Sequence, residues 1–210
     1  MTLSSLPQYC FSGLTVGSTY GLTALGFTII YNSTGIINFA QGEFVMLGGM
    51  ISVFLLQAAR LPLWAAVPLA VLLTTLVGAC LERFTIRPVR NAGIIQLIII
   101  TIGASILIRG SAMLLWGKDT FALPAFSGTK PIRFLGAVLM PQNLWILGIT
   151  LALLLLLKGF FSRTVVGKGM LACSHDRKAA YLMGISVERM VLFSFMLSSL
   201  VGAVGGAILA

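Results

Sequence analysis

Asn32-Ser33-Thr34-Gly35-Ile36-Ile37-Asn38-Phe39-Ala40-Gln41-Gly42-Glu43 interrupts a run of otherwise apolar residues that extends from about residue 9 to residue 59. Irregular polar backbone at membrane depth is tolerated only where protein or a water-filled cavity surrounds it. If the flanking runs are membrane helices, the break is either an interfacial turn before a helix start or an element folded back among the helices. In the second case Asn38 and Gln41 could hydrogen-bond a zwitterionic or amide solute. Gly35 and Gly42 would then permit tight turning or close backbone approach. A carboxylate such as Glu43 costs several kcal/mol (~2–4) in hydrocarbon, so it should face the interface, a basic partner or water. In the interfacial reading Glu43 is favoured instead by the positive end of a helix dipole.

Composition shows that the flanks belong in lipid. The chain is 58% hydrophobic and only 9% charged, more apolar surface than one water-soluble domain of 210 residues encloses. Apolar stretches lie at about 9–31, 42–59, 62–82, 93–116, 143–161 and 190–210. A crossing takes roughly 20 apolar residues, so the expected fold is an all-α, polytopic transmembrane bundle of about six crossings forming one domain over 1–210. The N-terminus lacks the basic region and cleavage site of a secretory signal. The last run stops at Ala210 without a polar flank, which suggests a piece of a longer protein.

The formal charge of +9 is carried by short links between apolar runs, so topology explains it better than a nucleic-acid partner. Arg83, Arg87 and Arg90 follow the third run. Lys158, Arg163, Lys168, Arg177, Lys178 and Arg189 surround the link after the fifth. Both links are therefore expected on the cytoplasmic side. The segment 117–142, with Lys118, Lys130 and Arg133, is expected on the opposite face, and the parity then puts the N-terminus outside if 32–42 is a turn, or inside if 32–42 is a re-entrant or broken element. Arg109, within the fourth run, is expected to snorkel toward the helix end at Trp116. Gly13, Gly17 and Gly21, and likewise Ser198, Gly202, Gly206 and Ala210, recur at four-residue steps and read as ridges for close helix approach.

The link 162–189 contains Gly167-Lys168-Gly169-Met170-Leu171 and, further on, Ala179-Ala180-Tyr181-Leu182-Met183-Gly184, which read as a short amphipathic helix ended by Gly184. Ala172, Asp176, Arg177 and Ala180 suit insertion into a partner's groove. The alternative is a solvated basic loop. No phosphate-binding loop is present, because Gly167-Lys168 lacks the upstream glycine and the following Ser or Thr. Cys10, Cys80 and Cys173 are isolated and His175 is the one histidine, so neither a disulfide framework nor a metal site is indicated. No triad, carboxylate pair or dinucleotide fingerprint suggests catalysis.

Two ordered motifs carry a resemblance. Gly17-Ser18-Thr19-Tyr20-Gly21-Leu22-Thr23-Ala24-Leu25-Gly26 leads to Gly35 through Glu43, and Ala172-Cys173-Ser174-His175-Asp176 leads to Leu182-Met183-Gly184-Ile185. Over essentially the whole chain they resemble the Liv-type branched-chain amino acid ABC permeases. Asn32 and Gln41 depart from a glycine and a histidine common in that pattern, and members usually continue through further helices. The resemblance implies a permease subunit of a bacterial inner-membrane importer of leucine, isoleucine and valine. Its partners would be a second permease, ATP-binding cassette subunits that hold ATP and Mg, and a periplasmic solute-binding protein, with membrane lipid around the helices. The second motif looks like the loop that docks on the ATPase. Urea or short-amide permeases share the type. A secondary transporter or channel would use the polar break without ATP, and a structural scaffold would rely on the small-residue ridges alone.

Overall fold

In the computed structural model, the described residues are 6–89, 92–117, 122–123, 132–134 and 137–210. They form α1 (Leu6–Thr34), α2 (Gln41–Gln57), α3 (Leu63–Leu81), α4 (Ile94–Trp116), α5 (Pro141–Arg163), α6 (Val165–His175), α7 (Arg177–Leu182) and α8 (Val187–Leu209). A π-helical turn, Glu82–Ile86, and a 3-10 turn, Arg87–Val89, extend α3. A small antiparallel hairpin, β1 (Ile132–Phe134) with β2 (Ala137–Leu139), stands beside the otherwise helical architecture. Of the basic residues assigned to links, Arg90, Lys118 and Lys130 lie outside the described residues.

Among the described residues, five helices are long and apolar enough to cross a membrane: Leu6–Thr34, Leu63–Val89, Ile94–Trp116, Pro141–Arg163 and Val187–Leu209. The second apolar run, 42–59, becomes α2, which has only 17 residues. At 1.5 Å per residue it extends about 25 Å, short of the roughly 30 Å hydrocarbon core. It starts beside Ser198, halfway along α8, because the chain after α1 folds back into the bundle before helix resumes. The polar break is thus an element packed among helices and not a turn at the bundle's end.

α8 is the hub. Buried residues occupy 61% of its most apolar window, against 17% for α4, so α8 is shielded by protein while α4 is left largely on the perimeter. The ridge of Ser198, Gly202 and Gly206 makes this possible. A Cβ on Gly206 would stand 1.8 Å from the carbonyl oxygen of Val45, and one on Gly48 of α2 would stand 2.3 Å from that of Ala203. These two helices therefore meet backbone to backbone, a distance that membrane packing rewards with dispersion contact. On the third side, Gly78 of α3 accommodates Ser199.

The other ridge behaves differently. No atom lies within 4 Å of where a Cβ would stand on Gly13, Gly17 or Gly21. α1 meets α8 through its second half, where Leu22, Gly26, Ile29, Ile30 and Ser33 are buried, so the earlier glycines have no helix opposite them among the described residues. Spacing alone does not distinguish the two ridges; what lies across from them does.

The start of α1 and the hairpin share one end of the bundle, where Gln8 accepts a hydrogen bond from the Val138 amide at 2.7 Å. α6 and α7 occupy the other. Gly206→Ala should lower the thermal midpoint of the detergent-solubilised protein, by an overpacking cost of ~1–3 kcal/mol. Gly17→Ala should leave the midpoint unchanged; equal effects at the two positions would contradict the hub.

Candidate functional site

Three groups of polar residues converge on features that packing alone does not require. The first is the re-entrant break. α1 ends at Thr34, and Gly35, at φ +66°, turns the chain back. Asn38, Ala40 and Gln41 are enclosed by the bundle. Asn38 accepts the Ala40 amide through Oδ1 at 3.1 Å, while its Nδ2 is buried without a hydrogen-bond partner. Thr101 of α4 holds the same segment from outside, accepting the Phe39 amide at 3.4 Å.

Gln41 Nε2 donates to the carbonyl of Ser198 at 3.3 Å, and Ser198 Oγ shares its proton between Gln41 Oε1 and the Gly26 carbonyl, 2.7 Å away. One side chain from α2 and one from α8 thereby fasten α1, α2 and α8 together. A Cβ on Gly26 would stand 1.9 Å from Gln41 Nε2, so the seam requires glycine there. In this conformation Asn38 and Gln41 serve as fastening groups and do not front open space. Gly42 is the exposed member of the expected pathway set.

The second group surrounds Glu43, which is 3% exposed. Its carboxylate accepts hydrogen bonds from Ser105 Oγ at 2.8 Å and from Arg109 Nη2 at 2.6 Å. Arg109 therefore turns inward to an ion pair instead of extending toward Trp116, correcting the snorkelling expectation. The sequence left Glu43 facing the interface, a basic partner or water, with no means of choosing Arg109 among them, and Ser105 carried no signal.

The third group is the α6–α7 platform. It replaces the single amphipathic helix expected over this link with two short helices and a sharp corner. Thr164 caps α6 by accepting the Gly167 amide at 2.9 Å. Asp176 caps α7 by accepting the amides of Lys178 at 2.8 Å and Ala179 at 3.1 Å, and Gly184, at φ +82°, terminates the segment as expected. The platform is seated by Met170, Cys173 and Ala180, which join Leu153, Leu157 and Met190 in one apolar cluster.

Among the residues expected to meet a partner, Ala180 is therefore buried, Ala172 is half-buried and Asp176 is engaged in capping. Asp176 and Arg177 are exposed, and the following Tyr181, Leu182 and Met183 are 70%, 83% and 82% exposed. Arg177 reaches the end of α1: its Nη2 would lie 3.7 Å from a Cβ on Gly35. α1 has no basic residue in its own last turn, so this cation from α7 complements the negative end of its dipole. Burial lowers the Arg177 pKa from its ordinary value, and burial pushes the Cys173 thiol up, with Arg177 opposing that shift. A cleft of about 420 Å³ between the two elements is lined by Tyr31, Asn32, Gly35, Ser174, His175 and Arg177. No cluster of His, Cys, Asp and Glu suited to a metal occurs among the described residues.

Residues 9–210 match the family model described as the permease component of the branched-chain amino acid transport system. The chain belongs to that permease family. It is similar to the high-affinity branched-chain amino acid transport system permease protein LivH of Escherichia coli K12, with 33% identity over 217 aligned positions covering 96% of this chain and 70% of LivH. It is also similar to the permease BraD of Pseudomonas aeruginosa, with 30% identity and the same coverage of 96% and 70%. An autoinducer 2 import system permease, LsrD of Photorhabdus temperata, is 30% identical over 195 positions, 90% of this chain and 55% of LsrD. No solved structure matches it.

Within this permease, the Gln41–Ser198 seam should appear as thermodynamic coupling. In a double-mutant cycle of Gln41→Met and Ser198→Ala, read from thermal or denaturant unfolding in detergent, the two changes should be non-additive by ~0.5–3 kcal/mol. Strict additivity would show that the two side chains act independently.

Proposed function

We propose that this chain is a permease subunit of an ATP-driven importer of branched-chain amino acids in a bacterial inner membrane. A separate ATPase, which would bind ATP and Mg, docks on α6–α7; a second permease and a periplasmic solute-binding protein complete the machine. The names and coverage of LivH and BraD support the solute, and the absence of a phosphate-binding loop supports a separate ATPase.

The observation that carries the docking reading is the exposed apolar tip Tyr181-Leu182-Met183 beside Lys178 and Arg177. An apolar anchor with a basic rim fits a groove with an apolar floor and acidic edges. Arg83, Arg87, Arg163, Lys168, Arg177, Lys178 and Arg189 cluster toward the same end, which supports a cytoplasmic orientation for the platform and an outside N-terminus.

On this reading, ATPase closure moves α7. Ala180 transmits the movement to the cluster shared with α5 and α8, and Arg177 transmits it to the end of α1. Because the seam and the glycine contacts fasten α1, α2 and α3 to α8, these helices move as one body. Asn38 and Gln41 then support the solute path by fixing the re-entrant turn, and Gly42 and the Glu43–Arg109 pair border it. The conformational equilibrium shifts because the ATPase contacts the two arrangements differently.

Leu182→Glu should reduce recovery of the ATPase with the tagged full-length complex at least about tenfold, equivalent to ~1.4 kcal/mol. ATP-dependent leucine uptake should fall with it, while the second permease is still recovered. Normal ATPase recovery and normal leucine uptake in this variant would overturn the docking role.

A further inference from the structure

Glu82 is the one described acidic residue whose carboxylate goes unanswered. Glu43 has Ser105 and Arg109, Asp176 has two amides, and Glu188 has Arg87. Glu82 is 3% exposed, and its Oε2 is buried without a hydrogen-bond partner. A carboxylate oxygen left in that state is costly and calls for an explanation. An atom with no exposed surface cannot be met from outside the bundle, so its partner has to be a group already packed nearby.

Arg87 is that group. At Glu82 the α-helix of α3 passes into the π-helical turn, which closes with the Arg87 amide donating to the Glu82 carbonyl. That winding sets the two residues on successive turns of one side, the relation in which a long cationic side chain reaches back to a carboxylate. Arg87 is also the cation whose charge acts on Glu82. Arg83, the next residue, is exposed, and successive helical residues do not face each other. In the arrangement described, however, Arg87 Nη2 donates to Glu188 in the first turn of α8, and both side chains of that pair are partly exposed. Two carboxylates therefore compete for one arginine, and the more exposed of them holds it. Ion pairs of that exposed kind are weak, so the arginine is exchangeable.

Glu188 is the carboxylate coupled to the platform. Residues 183–186 join α7 to α8, and they are tied back to α7 by the Gly184 amide donating to Tyr181 and the Ile185 amide donating to Ala180, each at 3.0 Å. Glu82 is anchored elsewhere: Leu81 and Ile86, which flank it, pack with Leu97 and Phe195 in one apolar cluster. A displacement of α7 is thus delivered to Glu188 before it reaches Glu82. We propose that Arg87 is a two-position latch, which holds Glu188 in the arrangement described and Glu82 when ATPase closure has displaced the platform. This rests on the ATP-driven reading and adds the contact by which the end of α3 follows the first turn of α8. Glu188 lies about 15 Å along α8 from Ser198, so the exchange leaves the Gln41–Ser198 seam in place. Each carboxylate stabilises one arrangement, and the two therefore pull the equilibrium in opposite directions.

The test uses the full-length complex in proteoliposomes and reads the ATP concentration at which half of it is trapped with vanadate. Glu82→Gln removes the second station and should raise that concentration at least about fivefold, whereas Glu188→Gln removes the first and should lower it about threefold. In an Arg87→Met background neither change should move it further. A merely structural role for Glu82 would not produce opposite signs at the two carboxylates or an effect that vanishes with Arg87. An unchanged value in Glu82→Gln, shifts of the same sign, or shifts that persist in Arg87→Met would overturn the latch. Glu82→Asp, which keeps the charge but shortens its reach, is the second variant should Glu82→Gln not assemble. It should raise the same concentration only while Arg87 is present, and no rise would likewise overturn the latch. An unmodified complex that no ATP concentration traps would instead overturn the ATP-driven reading.

Discussion

A helix can occupy the centre of a membrane bundle only if its neighbours can reach its backbone. α8 meets that condition with Ser198, Ser199, Gly202 and Gly206, and its neighbours answer with Gly26, Gly48 and Gly78. In lipid there is no hydrophobic gain from joining two apolar helices, so close dispersion contact and interhelical hydrogen bonds have to supply the association. The Gln41–Ser198–Gly26 seam and the Val45–Gly206 approach provide one of each. The re-entrant break depends on both: without α8 alongside, the amides of residues 36–41 would face hydrocarbon.

The same economy separates fastening groups from exposed ones. Ser33 and Ser194 meet across α1 and α8, and Arg87 pairs with Glu188 where the turn after α3 meets the start of α8. The serine pair is buried, and the Arg87–Glu188 pair sits partly exposed at the α6–α7 end. The Arg109 side chain and the Tyr181-Leu182-Met183 tip stay exposed in the described residues, one within the membrane-spanning part and the other beyond it.

Much of this was legible in the residues. The apolar runs gave all the long helices, and the four-residue ridge of Ser198, Gly202 and Gly206 gave the central contact. The polar break announced itself by composition. What sequence could not supply was pairing across distance. Gln41 and Ser198 are 157 positions apart, and nothing local connects them. The ridge of Gly13, Gly17 and Gly21 has the same spacing as the one that packs, but the spacing says nothing about what lies opposite. In the platform, small residues and Asp176 attracted attention as partner contacts, whereas Ala180 seats the segment and Asp176 caps α7. Two hydrogen bonds from its own helix start engage Asp176, and the exposed anchors are the larger residues that follow.

In the proposed machine, α1, α2, α3 and α8 move as one rigid body driven through α6–α7. Pulsed electron-spin distance measurements on the complete complex test it, using label pairs at exposed positions of full-length protein in proteoliposomes. The distance between labels at Tyr20 of α1 and Leu76 of α3 should remain the same, within label width, in the nucleotide-free and ATP-trapped states. The distance from Leu76 to a label at Leu182 of α7 should change between them. A changed distance between Tyr20 and Leu76, with that from Leu76 to Leu182 constant, would contradict the account.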